Sequence, residues 1–372
     1  RAWPDVRDIP DEIDLAVIAV RTDFVLDTAR ACAEKGVKGL VIITAGFKET
    51  GAEGAQRERE LRAICRDAGM RLVGPNCLGV VNTDPTVRLD ATFAPTFPHA
   101  GSVAMASQSG ALGVAMLDAA EALNIGVSSF VSIGNKADVS ANDLLEWWAV
   151  DPRTKVVLLY LESFGNPRKF ARIARQLSRT KPIVAVKSGR SARGLLAASS
   201  HTGSLAGGDA AVQALVQQCG MVRVNSVEAL FDQAAFLAHQ PIPRGRKLAI
   251  LTNSGGPGIM ATDACEGVGL EVAELSDELK AALQQHLPAA ASVHNPVDMI
   301  ASASAAQYAI CAEVLLASDE VDALLAIFVP PIITESRDVA EAIAASAAGS
   351  GKPVVACFMG RHGVEEATGT LE

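Results

Sequence analysis

Short apolar runs without regular alternation of polar residues recur along this chain, and most are followed by a helical pattern. A strand that is buried on both faces has this composition, because helices cover a parallel sheet on each side. The repetition of strand and helix predicts the α/β class with doubly wound parallel sheets. The runs are 14–20, 39–46, 71–76, 101–108, 127–134, 156–162, 182–189, 247–254, 323–330 and 353–359.

Two proline-bearing stretches without periodicity interrupt this pattern. They are "TFAPTFPHA", which ends at Ala100, and "HQPIPRGR", which ends at Arg246. A chain of 372 residues suits two or three domains, and we predict domains over residues 1–97, 98–240 and 241–372. The second and third open alike, each with a strand, a Ser/Gly turn and an alanine-rich helix, so we expect a duplicated flavodoxin-like unit.

Composition narrows the class of protein. The net charge of −9 argues against nucleic acid as a main partner. The seven cysteines are scattered, without a CxxC pair or a Cys/His cluster, which predicts reduced thiols, no metal site and a cytoplasmic location. No apolar run reaches the length of a membrane span, and the chain does not open with a signal peptide pattern, so we expect no membrane partner.

His201 lies among small residues in "AASSHTGSLAGG", ahead of an Ala/Val/Leu-rich helical pattern. Small residues let a ligand approach the backbone, and the positive end of a helix favours a neutral imidazole. The neutral form is the nucleophilic one, and N–H groups at the helix start would stabilise a phosphoryl group on it. The alternative is a loop histidine held by ordinary hydrogen bonds, and the residues alone leave both open.

Further candidate residues lie where predicted strands end. Glu162 follows six apolar or aromatic residues, and its carboxylate either orients an imidazole or is an ordinary strand-end charge. The turn 107–110, "SQSG", either receives an anion at a helix start or only caps the helix. "GPNCLG", residues 74–79, fits the edge of a cofactor or a tight turn, and the loop within 132–148 could line the site near Glu162.

Taken in order, "GPNCLG", "SQSGALG" and "SSHTGSLAG" resemble the NDP-forming acyl-CoA synthetases, the superfamily of succinyl-CoA synthetase and ADP-forming acetate–CoA ligase. The resemblance covers essentially the whole chain. It implies a Rossmann-like CoA-binding domain, truncated at its start, followed by two flavodoxin-like domains with doubly wound parallel sheets. It also implies an acid–thiol ligase of the alpha type, which reversibly converts acyl-CoA, phosphate and ADP to acid, CoA and ATP through an acyl phosphate and a phosphohistidine.

The resemblance assigns roles by position. His201 would be phosphorylated, and Glu162 would steady it. Coenzyme A would bind this chain, whereas ATP or ADP with Mg²⁺ would bind an ATP-grasp domain on a beta subunit or in a further C-terminal part, so full turnover by this chain alone is not expected. We also expect an oligomer. The implied phosphate ligands are Ser107, Gln108, Ser109, Gly110, Thr202, Gly203 and Ser204, and the implied CoA ligands are Val20, Thr44, Ala45, Gly46, Asn76, Cys77 and Leu78.

Departures from the family pattern leave other functions open. "VRTD" at 20–23 replaces a usual Val-Pro-Ala-type turn, and the family's first strand and glycine-rich CoA-phosphate turn do not occur in this sequence. The main alternative is a non-catalytic region that senses CoA or acyl-CoA in a larger protein, such as an acetyltransferase fusion. The presence of both His201 and Glu162 favours the enzyme. An NAD-binding oxidoreductase is disfavoured, because no GxGxxG follows a strand.

Overall fold

Each apolar run contains a strand, and parallel pairing dominates, so the predicted α/β class is confirmed. The computed structural model describes residues 1–191, 193–194, 208–331, 334–360 and 364–371. The chain divides into two compact units, Arg1–Ala238 and His239–Glu372. Within the described ranges, no helix has the combination of length and apolar character that a membrane crossing needs.

The first unit begins with a three-stranded parallel sheet in the order β1-β2-β3. Its strands are β1 (Leu15–Ile18), β2 (Gly39–Ile42) and β3 (Arg71–Val73), joined by helices α1 (Thr22–Lys35) and α2 (Ala52–Asp67). The helices pack on the sheet through buried apolar residues such as Val25, Leu61 and Leu72. Helix α1 ends at Gly36, whose φ of 83° is a left-handed conformation that glycine adopts without strain.

A seven-stranded sheet forms the rest of the first unit, in the order β10-β9-β8-β6-β7-β4-β5. Strands β6 to β10 pair in parallel, whereas β4 and β5 form an antiparallel hairpin beside β7. The hairpin precedes the proline-bearing stretch near 92–100 but pairs with the sheet that follows it. The strands are β4 (Gly79–Asn82), β5 (Leu89–Thr92), β6 (Ala100–Ser107), β7 (Val127–Ser132), β8 (Val156–Leu161), β9 (Ile183–Lys187) and β10 (Val222–Val224).

Helices cover both faces of this sheet, and side chains define where several of them begin. Ser140 and Asp143 form a capping box at the start of one helix, and Asn166 caps another whose first residue is Pro167. One buried layer contains Trp148 and Phe170, and the other contains Phe130 and Phe231. The helices are α3 (Gly110–Ala122), α4 (Ala141–Val150), α5 (Pro167–Leu177), α6 (Asp209–Gln218) and α7 (Val227–His239).

The second unit contains a five-stranded parallel sheet in the order β12-β11-β14-β15, in which β13 also pairs with β11. Its strands are β11 (Lys247–Thr252), β12 (Glu271–Val272), β13 (Val297–Asp298), β14 (Ala323–Phe328) and β15 (Val354–Phe358). Its helices are α8 (Gly255–Gly267), α9 (Asp277–Gln284), α10 (Ala305–Ala317), α11 (Ser336–Ala347) and α12 (Val364–Leu371).

Asn295 joins β11 to the segment that follows β12. Its Nδ2 donates to the carbonyl oxygens of Leu248 at 2.8 Å and Ala273 at 2.9 Å, and its Oδ1 accepts from the Ile250 N–H at 2.8 Å. One side-chain amide therefore makes three hydrogen bonds to backbone groups of two neighbouring segments of the sheet.

Replacement Asn295→Ala is expected to lower the free energy of unfolding by about 2 to 4 kcal/mol, because three part-buried hydrogen bonds to the backbone are lost. Urea denaturation followed by circular dichroism measures the change. The exposed neighbour His294, replaced by alanine, is the control and is expected to leave the midpoint unchanged. Equal midpoints for Asn295→Ala and the unmodified protein would show that this amide does not stabilise the sheet.

Candidate functional site

The turn between β6 and α3 lies at the carboxyl edge of the seven-stranded sheet. Ser107 Oγ donates to the carbonyl oxygen of Ser109 at 2.6 Å and accepts from its N–H at 3.1 Å. Ser109 Oγ in turn accepts from the Leu112 N–H at 3.3 Å, so it caps the helix. The capping interpretation is correct, and the helix that it begins, at Gly110, also presents its first N–H groups at the edge predicted for an anion.

Gln108 ties this turn to the end of β8. The residue is 9% exposed, and its Oε1 accepts from the N–H groups of Glu162 at 2.8 Å and Ser163 at 2.9 Å. Its Nε2 donates to the carbonyl oxygen of Ser163 at 2.7 Å, and its own N–H donates to Tyr160. The backbone N–H of Gln108 and one hydrogen of its Nε2 thus have partners in the protein, and these contacts hold the turn 107–110 against the end of β8.

Lys136 extends into the same region from the loop after β7. Its Nζ donates to Ser163 Oγ, and lies 3.4 Å from both Gln108 Oε1 and the carbonyl oxygen of Ser163. Burial lowers the pKa of Lys136 to about 8, and repulsion from Lys48 adds to this, whereas attraction to Glu162 opposes it. The sequence indicated this loop as a lining of the site, and the structure brings its lysine to the end of β8.

Lys187 ends β9, the neighbour of β8, and only 5% of it is exposed. Its Nζ donates to the carbonyl oxygen of Ser188 at 2.5 Å. Burial lowers the pKa of Lys187, repulsion from Arg223 adds to this, and attraction to Glu162 opposes it. Glu162 therefore lies within electrostatic reach of two lysines, one from each side of its strand.

Most of the predicted CoA ligands come together at the carboxyl edge of the three-stranded sheet. The Asn76 N–H donates to the carbonyl oxygen of Thr44 at 3.1 Å, and Thr44 Oγ1 donates to that of Val20 at 2.6 Å. Thr22 Oγ1 donates to the carbonyl oxygen of Ala45 at 2.8 Å, next to Gly46, whose φ is 101°. This edge is half-buried to exposed and has the glycine and small side chains that let a cofactor approach the backbone.

Cys77 and Leu78 point away from this open edge. Cys77 is 4% exposed, its Sγ donates to the carbonyl oxygen of Ile42 at 3.3 Å, and burial raises its pKa to about 12. Leu78 is fully buried, and its N–H donates to Ser132 Oγ at 2.9 Å. Both side chains pack inside the protein in this structure, and the thiol is not a nucleophile at neutral pH.

Asn135 joins the two sheets of the first unit and is 7% exposed. Its N–H donates to the carbonyl oxygen of Pro75 at 2.9 Å, and its own carbonyl oxygen accepts from Lys48 Nζ. Its Nδ2 donates to Glu49 Oε2 at 2.6 Å and to Glu58 Oε2 at 2.8 Å. We call Asn135, Lys48, Glu49, Glu58 and Pro75 the Asn135 clamp, because these contacts fix the residue that precedes Lys136.

Electrostatics support the Asn135 clamp. Burial alone would raise the pKa of Glu49, but hydrogen bonds from Asn135 and from the N–H groups of Phe47 and Gly46 lower it below its usual value. Glu58 also pairs with Lys48 at 3.5 Å. Glu49 is therefore held in the charged form that accepts a hydrogen bond from the Asn135 amide.

Three regions of the chain match known protein families. Residues 1–83 match the family described as "CoA binding domain", and residues 100–237 match "Succinyl-CoA ligase like flavodoxin domain". Residues 248–371 match "Ligase-CoA domain". The first two regions contain the two carboxyl edges described above, and they lie in the order that the sequence motifs indicated.

Individual proteins resemble the chain over its whole length. It is 43% identical to the alpha subunit of an ADP-forming acetate–CoA ligase (II) of Pyrococcus furiosus, over 100% of this chain and 81% of that protein. The chain belongs to the NDP-forming acyl-CoA synthetase family. It is also 42% identical to the ADP-forming acetate–CoA ligase I of Archaeoglobus fulgidus, over 98% of this chain and 52% of that protein. The chain thus spans about half the length of this second relative.

A solved structure shows the same architecture. The dinucleotide-forming acetyl-coenzyme A synthetase 1 of Candidatus Korarchaeum cryptofilum, in complex with phosphate and ADP, has a TM-score of 0.94 and 39% sequence identity. The match covers 100% of this chain and 80% of that one. The family and fold predicted from the sequence motifs of this acyl-CoA synthetase family member are therefore confirmed.

The structure accounts for part of the predicted site. It brings Ser107, Gln108, Ser109 and Gly110 together with Glu162, whereas His201, Thr202, Gly203 and Ser204 lie outside the described residues. Sequence reasoning missed the Asn135 clamp and did not single out Lys136 as a site residue. The Gly-Asn-Lys sequence directly after a buried strand was the signal that could have indicated both. Within the described ranges, no group of three or more acidic, histidine or cysteine side chains is placed to hold a metal ion.

Gly134 brings the loop of the Asn135 clamp close to the "GPN" turn. Its φ is 48°, and a Cβ atom there would lie 2.4 Å from the carbonyl oxygens of Pro75 and Asn76. Gly134→Ala is expected to cost at least about 2 kcal/mol of unfolding free energy, because the loop must move and the backbone is strained. Urea unfolding tests this against Gly208→Ala, where φ is −57° and an added Cβ would meet no atom of the described residues within 4 Å. If both variants unfold at the same urea concentration, the close approach is not required.

Proposed function

We propose that this chain is the alpha-type part of an ADP-forming acyl-CoA synthetase, which interconverts acyl-CoA, phosphate and ADP with the free acid, CoA and ATP. The observation that supports it most is the carboxyl edge where the α3 start and Glu162 are tied together by Gln108. The relatives that match over the whole chain are named as ADP-forming ligases. The regulatory alternative has no support among them.

The proposed chemistry has three steps. A phosphate oxygen attacks the thioester carbonyl carbon, the C–S bond breaks, and the thiolate leaves and takes up a proton. The neutral imidazole of His201 then attacks phosphorus, so that an N–P bond forms and the acyl carboxylate leaves. Finally, a terminal oxygen of ADP attacks the same phosphorus, which breaks the N–P bond and returns the free imidazole. All steps are reversible, and the helix N–H groups stabilise the added negative charge.

Glu162 is proposed to accept a hydrogen bond from the other imidazole nitrogen, which fixes the tautomer and raises the basicity of the ring. The chain positions of the two residues support this. Strand β8 ends just before Glu162, and the next strand of the sheet, β9, ends at Lys187, from which the sequence continues towards His201. The two residues thus follow neighbouring strand ends, where sites in parallel sheets form.

Coenzyme A is proposed to bind the carboxyl edge of the three-stranded sheet, where it supplies the thiol that carries the acyl group. Val20, Thr44, Ala45, Gly46 and Asn76 fit this role because the edge is accessible and its backbone groups are ordered by mutual hydrogen bonds. Cys77 and Leu78 would support the turn from inside. ADP or ATP with Mg²⁺ is proposed to bind an ATP-grasp domain outside the 372 residues, on a partner subunit or in a further part of the protein.

We also propose the three-domain division at residues 97 and 240, a cytoplasmic location and an oligomeric assembly. The matched regions, 1–83, 100–237 and 248–371, support the division. A carboxylic acid, CoA and phosphate are the proposed small-molecule substrates. Full turnover would then need the nucleotide-binding part.

Incubation of the protein with acetyl-CoA and radioactive phosphate is expected to yield an acid-labile, base-stable label on His201. His201→Ala is expected to abolish it, and Glu162→Gln to slow it by about 10- to 100-fold, because the imidazole loses its charged acceptor. The label is measured by gel autoradiography with acid and base treatment. Glu121→Gln is the control, since Glu121 is exposed at the far end of α3 and is expected to have no effect. A His201→Ala protein that keeps its label would rule out the phosphohistidine.

A further inference from the structure

The ammonium group of Lys136 is part-buried among neutral oxygens. In the part of the chain that the structure describes, its hydrogen-bond partners are Gln108 Oε1 and the hydroxyl and carbonyl oxygens of Ser163. The ammonium group of Lys187 also has a neutral hydrogen-bond partner, since its Nζ donates to the carbonyl oxygen of Ser188. These contacts orient the two ammonium groups without cancelling their charge.

The charges around Lys136 leave a positive surplus. Lys187 and Glu162 both act on it electrostatically, and so does Lys48. Lys48 is paired with Glu58 of the Asn135 clamp at 3.5 Å, and Arg223, which acts on Lys187, is paired with Asp209. Among the described residues that act on Lys136 and Lys187, this leaves the two lysines themselves and Glu162. The whole chain carries a net charge of −9, so the local charge at this edge is opposite in sign to the net charge of the protein.

Partial burial of such a surplus is unfavourable unless an anion balances it. The Asn135 clamp nevertheless fixes the backbone next to Lys136, so a movement of this loop cannot carry the ammonium group into solvent. The lowered pKa of Lys136 reflects the same cost. A bound anion at this edge would restore the balance and would meet the start of the 13-residue helix α3 as well.

We propose that Lys136 is a phosphate-binding residue of this site, whose ammonium group contacts the anionic oxygens of inorganic phosphate before it attacks the thioester. The inference rests on the proposed function and adds a residue to it. Gln108 links Lys136 to the end of β8, because its Oε1 contacts Lys136 Nζ and also accepts from the Glu162 N–H. Lys187 adds a second positive charge from the other side of β8 without needing contact with the anion.

Isothermal titration calorimetry of the unmodified protein with inorganic phosphate tests the inference. Lys136→Met is expected to weaken phosphate binding by about 10- to 100-fold, the range for loss of a charged hydrogen bond. Lys136→Arg is expected to stay within a few-fold of the unmodified protein, because it keeps the charge. The matched control is Lys181→Met, since Lys181 is also part-buried and donates to carbonyl oxygens, those of Trp148 and Asp151, but precedes β9 at the opposite edge of the sheet.

The pH dependence of phosphate binding distinguishes a role of the Lys136 charge from a merely structural role of this side chain. Among the residues that the structure describes, the charged groups that act on Lys136 are Lys48, Glu162 and Lys187. With a pKa of about 8, Lys136 loses its proton as the pH rises through 8, so phosphate binding should weaken there in the unmodified protein. Lys136→Arg stays charged and should not show that loss. Circular dichroism verifies that each variant is folded.

The outcomes separate the inference from the proposed function. Unchanged phosphate affinity in Lys136→Met, or no phosphate binding by the unmodified protein, would overturn the inference even if His201 is phosphorylated. Weakened binding in Lys136→Met, with Lys136→Arg and Lys181→Met near normal, supports it even if no phosphohistidine forms. Equal weakening by Lys136→Met and Lys181→Met would show a general effect of losing a lysine, and would also overturn it.

Discussion

A single buried amide connects the two carboxyl edges of the first unit. Asn135 donates to two carboxylates from the segment around α2 and also donates to the carbonyl oxygen of Pro75 in the turn after β3. Each of these bonds is made in a part-buried setting, where loss of one partner leaves a polar group unsatisfied. The proposed CoA edge and the proposed phosphate edge therefore share one rigid joint, and neither loop can shift without breaking it.

This joint matters for the proposed reaction, because phosphate and the acyl-CoA thioester would have to meet in a fixed geometry. A phosphate oxygen and a thioester carbonyl react only when they are held close and aligned, and misplacement of about 1 Å is costly. Gln108 adds a second tie, from the start of α3 to the end of β8. Lys136 and Lys187 add positive charge at this edge of an acidic chain, and this charge is the proposed basis of its affinity for phosphate.

The sequence predicted the parallel strands well and the long-range contacts poorly. Runs such as 101–108 and 156–162 are apolar throughout, so their burial on both faces was evident, and Glu162 could be placed at a strand end. The hairpin of β4 and β5 was missed, because its four-residue strands give little pattern and it pairs with a strand far along the chain. The Asn135 clamp was missed for the same reason, since the carboxylates that Asn135 binds lie 86 and 77 residues away.

A crystal structure of the protein grown with inorganic phosphate tests the central claim most directly, namely that the carboxyl edge beside Glu162 receives a phosphate group. The predicted result is a tetrahedral anion within hydrogen-bonding distance of the first N–H groups of α3 and of Lys136 Nζ. Saturating phosphate with no anion at this edge, or an anion bound only at an unrelated surface, would contradict the claim.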